Sequence, residues 1–192
     1  MNLPNKLTII RLIMIPLFVA AFYLTILPFN YLISAIIFVL AAFTDFLDGY
    51  IARKYNLVTN LGKFLDPIAD KVLVSSALIV MLLPFNGEMA ILPFYGAIAV
   101  AIILARELIV SGFRIVAASS GKVLAADKSG KIKTFVQDVA VVVLLVGADF
   151  MPGLYSTLNI IGLCLLGLAT LLTIYSGIEC LVKNADVLKE NK

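Results

Sequence analysis

Long apolar stretches occupy residues 12–28, 31–44, 72–83, 89–105, 139–148 and 154–178. Several fall short of the roughly 20 apolar residues that a membrane-crossing helix requires, so the polar residues beside them belong to the same helices. The pattern predicts helices over 7–28, 31–53, 63–83, 89–118, 132–149 and 154–182. Turn chemistry fills the gaps, in Leu27-Pro28-Phe29-Asn30, Pro84-Phe85-Asn86-Gly87 and Met151-Pro152-Gly153. With no internal repeat, low-complexity run or long linker, residues 1–192 read as one all-α domain. The first apolar run lacks a small-residue cleavage site and reads as a retained span.

Composition turns this pattern into a membrane protein. Of the 192 residues, 62% are hydrophobic and 14% charged, against about 25% charged in soluble domains. The mean hydropathy of +1.07 leaves too little polar surface to coat a soluble globule. The chain has no His, which excludes His-based hydrolytic triads and His-ligated zinc motifs. Cys164 and Cys180 sit in apolar sequence and are expected to be small core side chains.

The net charge of +3 says little, but its distribution says more. Lys6 and Arg11 precede the body of the first span. Arg53, Lys54, Lys63 and Lys71 surround the second connection, and Arg106, Arg114, Lys122, Lys128, Lys131 and Lys133 surround the fourth. Lys183, Lys189 and Lys192 follow the last span, while the other three connections carry no Lys or Arg. The excess of basic residues on cytoplasmic loops therefore predicts six spans with both termini in the cytoplasm.

The second connection is flanked by acids. Asp45 and Asp48 are three apart, and Asp66 and Asp70 are four apart, so each pair shares a helical face. A short connection makes the two helices antiparallel neighbours, which allows the pairs to converge. Four gathered carboxylates repel one another unless cations intervene, and all-oxygen ligation suits Mg2+ or Mn2+. Such a site meets the needs of two-metal phosphoryl chemistry. Gly49, Ala52 and Gly62 leave room for a nucleotide or a neighbouring helix to approach. Arg53 supplies a forked donor for a phosphate or for a structural ion pair.

The spacing D-x2-D-G-x2-A-R-x8-G-x3-D-x3-D, complete from Asp45 to Asp70, resembles the signature of the CDP-alcohol phosphotransferase family. The resemblance implies a six-span membrane enzyme, commonly a homodimer, that displaces CMP from a CDP-linked donor with an alcohol and divalent metal. It makes Asp45, Asp48, Asp66 and Asp70 the ligands of two metal ions, with Asp70 also the general base. Gly49, Arg53 and Thr59 then match residues that contact the cytidine diphosphate, and Asn5 and Thr8 help to close the nucleotide pocket. Pro67 is expected in a first helical turn or at a kink.

Three further segments narrow the resemblance: Asn2-Leu3-Pro4-Asn5-Lys6-Leu7-Thr8-Ile9-Ile10-Arg11, Ala105-Arg106-Glu107 and Gly130-Lys131-Ile132-Lys133-Thr134. They are similar to family members that use CDP-diacylglycerol as donor and sn-glycerol 3-phosphate as acceptor, in a bacterial cell membrane, with the site facing the cytoplasm. The resemblance implies lipid but no nucleic-acid partners. A phosphorylated acceptor needs cations, and the candidates are Arg106, Arg114, Lys131 and Lys133. Arg106 and Arg114 fall roughly on one helical face. Arg106 either pairs with Glu107 or faces the polar cavity. Gln137 and Asp138 read as helix-packing groups.

Phosphatidylglycerol, inositol phosphate or serine are the alternative acceptors. A small cation transporter would also carry intramembrane acids, but it has no evident need for the Gly-x2-Ala-Arg spacing. The topology is tested by cysteine labelling in a background where Cys164 and Cys180 are replaced by Ser. A cysteine at Asn86 should label from outside and one at Lys128 from the cytoplasm. Labelling of both from one side would contradict six spans.

Overall fold

A computed structural model describes residues 3–24, 26–54, 60–83, 91–92, 94–119, 128–150 and 152–187. It holds six α-helices: α1 (Leu3–Tyr23), α2 (Asn30–Lys54), α3 (Asn60–Val80), α4 (Phe94–Ser119), α5 (Lys128–Ala148) and α6 (Pro152–Lys183), followed by a single 3-10 turn at Ala185–Val187. No strand occurs among the described residues. The stretches Asn5–Tyr23, Asn30–Gly49, Phe94–Ala118 and Thr157–Lys183 are long and apolar enough to cross a membrane. α3 and α5 carry more charge, with Lys63, Asp66, Asp70 and Lys71 on one and Lys128, Lys131, Lys133 and Asp138 on the other. This is a polytopic membrane protein, and its outward faces are apolar: Leu108 is 73% exposed and Leu171 66%.

Two compact units divide the chain. The first comprises Met1–Ile91 and Val141–Ile160. There α1 packs against both α2 and α3, which touch each other much less. Small buried residues, Ala21, Ala35, Ala41, Ala69 and Ala77, allow close approach of the backbones. Larger ones fill the gaps. Phe18 meets Phe38 with ring centroids 6.1 Å apart, and Phe22 meets the edge of Tyr31 at 5.0 Å.

The first helix both starts and ends earlier than the apolar pattern predicts. Asn5, Thr8 and Arg11 lie within it and are buried, so its polar first turns are part of the packed structure. At its other end the Asn30 side-chain amide donates to the Phe22 carbonyl at 2.6 Å, satisfying one of the carbonyls a helix terminus leaves open. Phe29 adopts the left-handed region, φ 59°, and redirects the chain into α2. α3 begins at Asn60, which places Pro67 inside the helix and not in its first turn.

The second unit comprises Leu92–Ala140 and Ile161–Lys192. Val110, Phe113 and Cys180 form a buried cluster with Leu181 against it. Cys180 is thus the small core side chain expected of it. Cys164 is exposed and free, contrary to expectation, because its position on α6 falls on an outward apolar face.

Candidate functional site

The acidic site is built in the first unit, on three helices. Asp45 and Asp48 rise from α2 and Asp66 from α3, but the side chains that organise them come from α1. Arg11 has no exposed surface. Its Nη1 donates to Asp45 Oδ1 at 2.6 Å and its Nη2 to Asp48 Oδ2. Its Nε reaches Thr44 Oγ1 at 3.4 Å, and that hydroxyl donates to the Ala41 carbonyl at 2.6 Å. One helical turn earlier on α1, Thr8 Oγ1 donates to Asp66 Oδ1 at 2.6 Å. Both Asp45 and Asp66 stand close enough to act electrostatically on Asp48.

This geometry is driven by burial. Asp48 is 2% exposed, and a carboxylate at that depth is costly unless paired and hydrogen-bonded. The forked guanidinium bonds two carboxylates at once, which the single ammonium of a lysine matches poorly. Its one positive charge still leaves the acids in excess. Among the described residues, no three carboxylates stand close enough together to enclose one ion. Arg11 lies between the two acids of α2.

The remaining predicted residues divide by location. Asp70 lies one turn beyond Asp66 on α3 and is half-buried, and Asn5 is buried one turn before Thr8. Gly49 is half-buried in α2 and Gly62 is buried in α3. Ala52 and Arg53 fall at the end of α2, and their side chains, with all of Thr59, lie outside the described residues.

A second polar network is built in the second unit. Glu107 Oε1 accepts from Lys133 Nζ at 2.6 Å and from Arg106 Nη1 at 3.2 Å. Arg106 Nη2 donates to Ser176 Oγ at 3.0 Å, and that hydroxyl donates to the Thr173 carbonyl at 3.2 Å. Gly177 makes room for this, since a Cβ there would come within 3.1 Å of Arg106 Cγ. Of the four predicted acceptor cations, the structure thus joins Arg106 and Lys133. Arg114 and Lys131 are exposed and take no part in this network. Arg106 pairs with Glu107, the first of its two expected arrangements, yet its Nε is buried with no acceptor. On α5, Gln137 is 2% exposed and its Oε1 has no donor.

Two residues of these networks received no site role in the sequence reading. Arg11 enters it through topology and as the end of the opening segment, with no partner assigned, although a lone Arg three residues after Thr8 in an apolar run is a recognisable signal. Ser176 sits in a span that offered only its apolarity.

The sequence model of the CDP-alcohol phosphatidyltransferase family matches residues 1–175, and the chain belongs to that family. It is 41% identical over 199 residues to the Bacillus subtilis protein named CDP-diacylglycerol--glycerol-3-phosphate 3-phosphatidyltransferase, covering 98% of this chain and 97% of that one. A Rickettsia felis protein of the same name is 42% identical over 179 residues, covering 92% and 91%. A Salmonella typhimurium protein of that name is 39% identical over 184 residues, covering 94% and 93%.

The network around Glu107 makes a stability prediction. Glu107→Ala leaves the buried Lys133 without its counter-charge, and removing one partner of such a pair costs on the order of 3 kcal/mol. The thermal midpoint of the purified protein in detergent should fall by several degrees, while the exposed Lys131→Ala should not move it. Equal midpoints for both variants would contradict the network.

Proposed function

We propose that this chain transfers the phosphatidyl group of CDP-diacylglycerol to sn-glycerol 3-phosphate, giving phosphatidylglycerol phosphate and CMP. Near full-length identity of about 40% to proteins bearing that name supports the reading. The observation that carries the choice of a phosphorylated acceptor is the pairing of a partly buried Arg106 with a buried Lys133 on one carboxylate, with one guanidinium N–H, itself buried, still without an acceptor. A buried donor left unpaired costs about 1–3 kcal/mol, and an uncharged alcohol would not repay that donor together with the buried charge of Lys133. A free phosphate-bearing substrate would.

The oxygens of Asp45, Asp48, Asp66 and Asp70 suit Mg2+ or Mn2+, and two such ions are proposed as the cofactor. When bound, divalent ions neutralise the pyrophosphate and the charge developing on the departing CMP. The chain's own residues do the rest. By their positions in the family's motif, Asn5, Thr8, Gly49, Ala52, Arg53, Thr59 and Gly62 are the residues proposed to contact the nucleotide. Asp70 takes the proton from the primary hydroxyl of the acceptor as that oxygen attacks the phosphorus attached to diacylglycerol. Arg106 and Lys133 hold the acceptor's phosphate, and Arg114 and Lys131 add positive charge at the cytoplasmic helix ends. The proposal extends to six spans, with α3 and α5 crossing as helices that are polar at one end, both termini and the site cytoplasmic, and a homodimeric single-domain enzyme in a bacterial membrane.

Losing one charge-assisted phosphate contact costs roughly 1.5–3 kcal/mol, or about ten- to a hundredfold in affinity. Arg106→Gln and Lys133→Gln should therefore raise the KM for glycerol 3-phosphate by about that factor, with little change for CDP-diacylglycerol. CMP release at varied concentrations of each substrate reads this out. Equal rises for both substrates would assign the two cations a structural role.

A further inference from the structure

In the second unit, Lys133 and Gln137 are four residues apart on α5, and each is 2% exposed. They lie one turn apart on the buried face of that helix. Ala140, which continues the face, is apolar and fully buried. Lys133 has a counter-charge in Glu107. Gln137 has no such partner: among the described residues its Oε1 is buried and accepts no hydrogen bond. Packing alone does not account for this. A buried carbonyl oxygen without a donor is destabilising, whereas an apolar side chain of similar size leaves nothing unmet.

From this we infer that Gln137 is a specificity-determining residue, whose carboxamide hydrogen-bonds the secondary hydroxyl of the acceptor beside the phosphate held by Lys133 and Arg106. The inference rests on the proposal that those two cations hold the phosphate of glycerol 3-phosphate. It gives Gln137 a role besides helix packing.

The chemistry of the acceptor sets the spacing. Its secondary hydroxyl is on the carbon next to the phosphate ester, and the attacking primary hydroxyl is one carbon further. A group that recognises the secondary hydroxyl must therefore stand a short step from the phosphate site. Residues four apart on a helix have Cβ atoms about 5–6 Å apart, which is the scale of that step. A hydroxyl both donates and accepts, so it suits the carboxamide in either orientation. Gln137 is neutral and adds nothing to the attraction for phosphate. Its effect is selective instead. A site built to hydrogen-bond a hydroxyl rejects the analogue that lacks it, because the protein's polar group then stays unmet. The two cations cannot make that distinction, since both molecules carry the same phosphate.

The test compares glycerol 3-phosphate with 3-hydroxypropyl phosphate, which keeps the phosphate and the primary hydroxyl but lacks the secondary one. CMP release is followed with purified full-length protein, CDP-diacylglycerol and Mn2+. Wild type should use glycerol 3-phosphate with a kcat/KM about ten- to a hundredfold above that for the analogue. Gln137→Leu should lose about that factor for glycerol 3-phosphate and little for the analogue, so the preference disappears while the KM for CDP-diacylglycerol holds. Gln137→Met, unbranched like glutamine, should do the same and decides the matter if the leucine variant does not fold. The thermal midpoint of either variant without substrate should be no lower than that of wild type, because an unmet buried oxygen has been removed. Equal losses for both acceptors, with or without a lower midpoint, would make Gln137 a packing residue and overturn the inference. Equal use of the two acceptors by wild type would overturn it without any variant. CMP release with neither phosphate-bearing acceptor would overturn the proposed reaction and the inference with it.

Discussion

The first unit depends on one buried cation. Arg11 has no exposed surface and lies in a helix that otherwise reads as a membrane span, which is tolerable only because all three of its donor nitrogens are met. The dependence is mutual. Asp48 is almost as deeply buried, and without the guanidinium it would be an unpaired charge in an apolar setting. This pairing explains why α1 is the helix that touches both of its neighbours: it carries the donors that two acid-bearing helices need.

The second unit solves the same problem with the signs reversed. There two cations, Arg106 and Lys133, share one carboxylate, Glu107. In the first unit acids outnumber their cation, and in the second cations outnumber their acid. A membrane protein does not bury such imbalances for packing alone. An excess of acid suits divalent ions, and an excess of base suits an anionic substrate. These two imbalances are what the proposed function draws on, in a chain that belongs to the CDP-alcohol phosphatidyltransferase family.

Much of this was legible in the sequence. Hydropathy runs locate all six helices, and the spacing from Asp45 to Asp70 marks the family. Helix ends were less legible because they are set by tertiary partners. α1 begins early, with Asn5 buried in its first turns, and it stops early since Asn30 caps it. The partnership of Arg11 with Asp45 and Asp48 was hidden for a related reason: a topology rule counts charges and cannot say what each one faces. Arg114 and Lys131 show the converse. Their spacing places them with Arg106 and Lys133, but helix rotation leaves them outward, and only packing decides rotation.

Transfer of phosphatidyl from CDP-diacylglycerol to glycerol 3-phosphate is the reaction proposed for this chain. The most direct measurement follows CMP release by the purified protein with CDP-diacylglycerol, Mn2+ or Mg2+, and each of glycerol 3-phosphate, glycerol, phosphatidylglycerol, inositol phosphate and serine in turn. Release with glycerol 3-phosphate well above every other acceptor, lost on chelation of the metal, is the predicted result. Equal or faster release with another acceptor, or full activity in the presence of chelator, would contradict it.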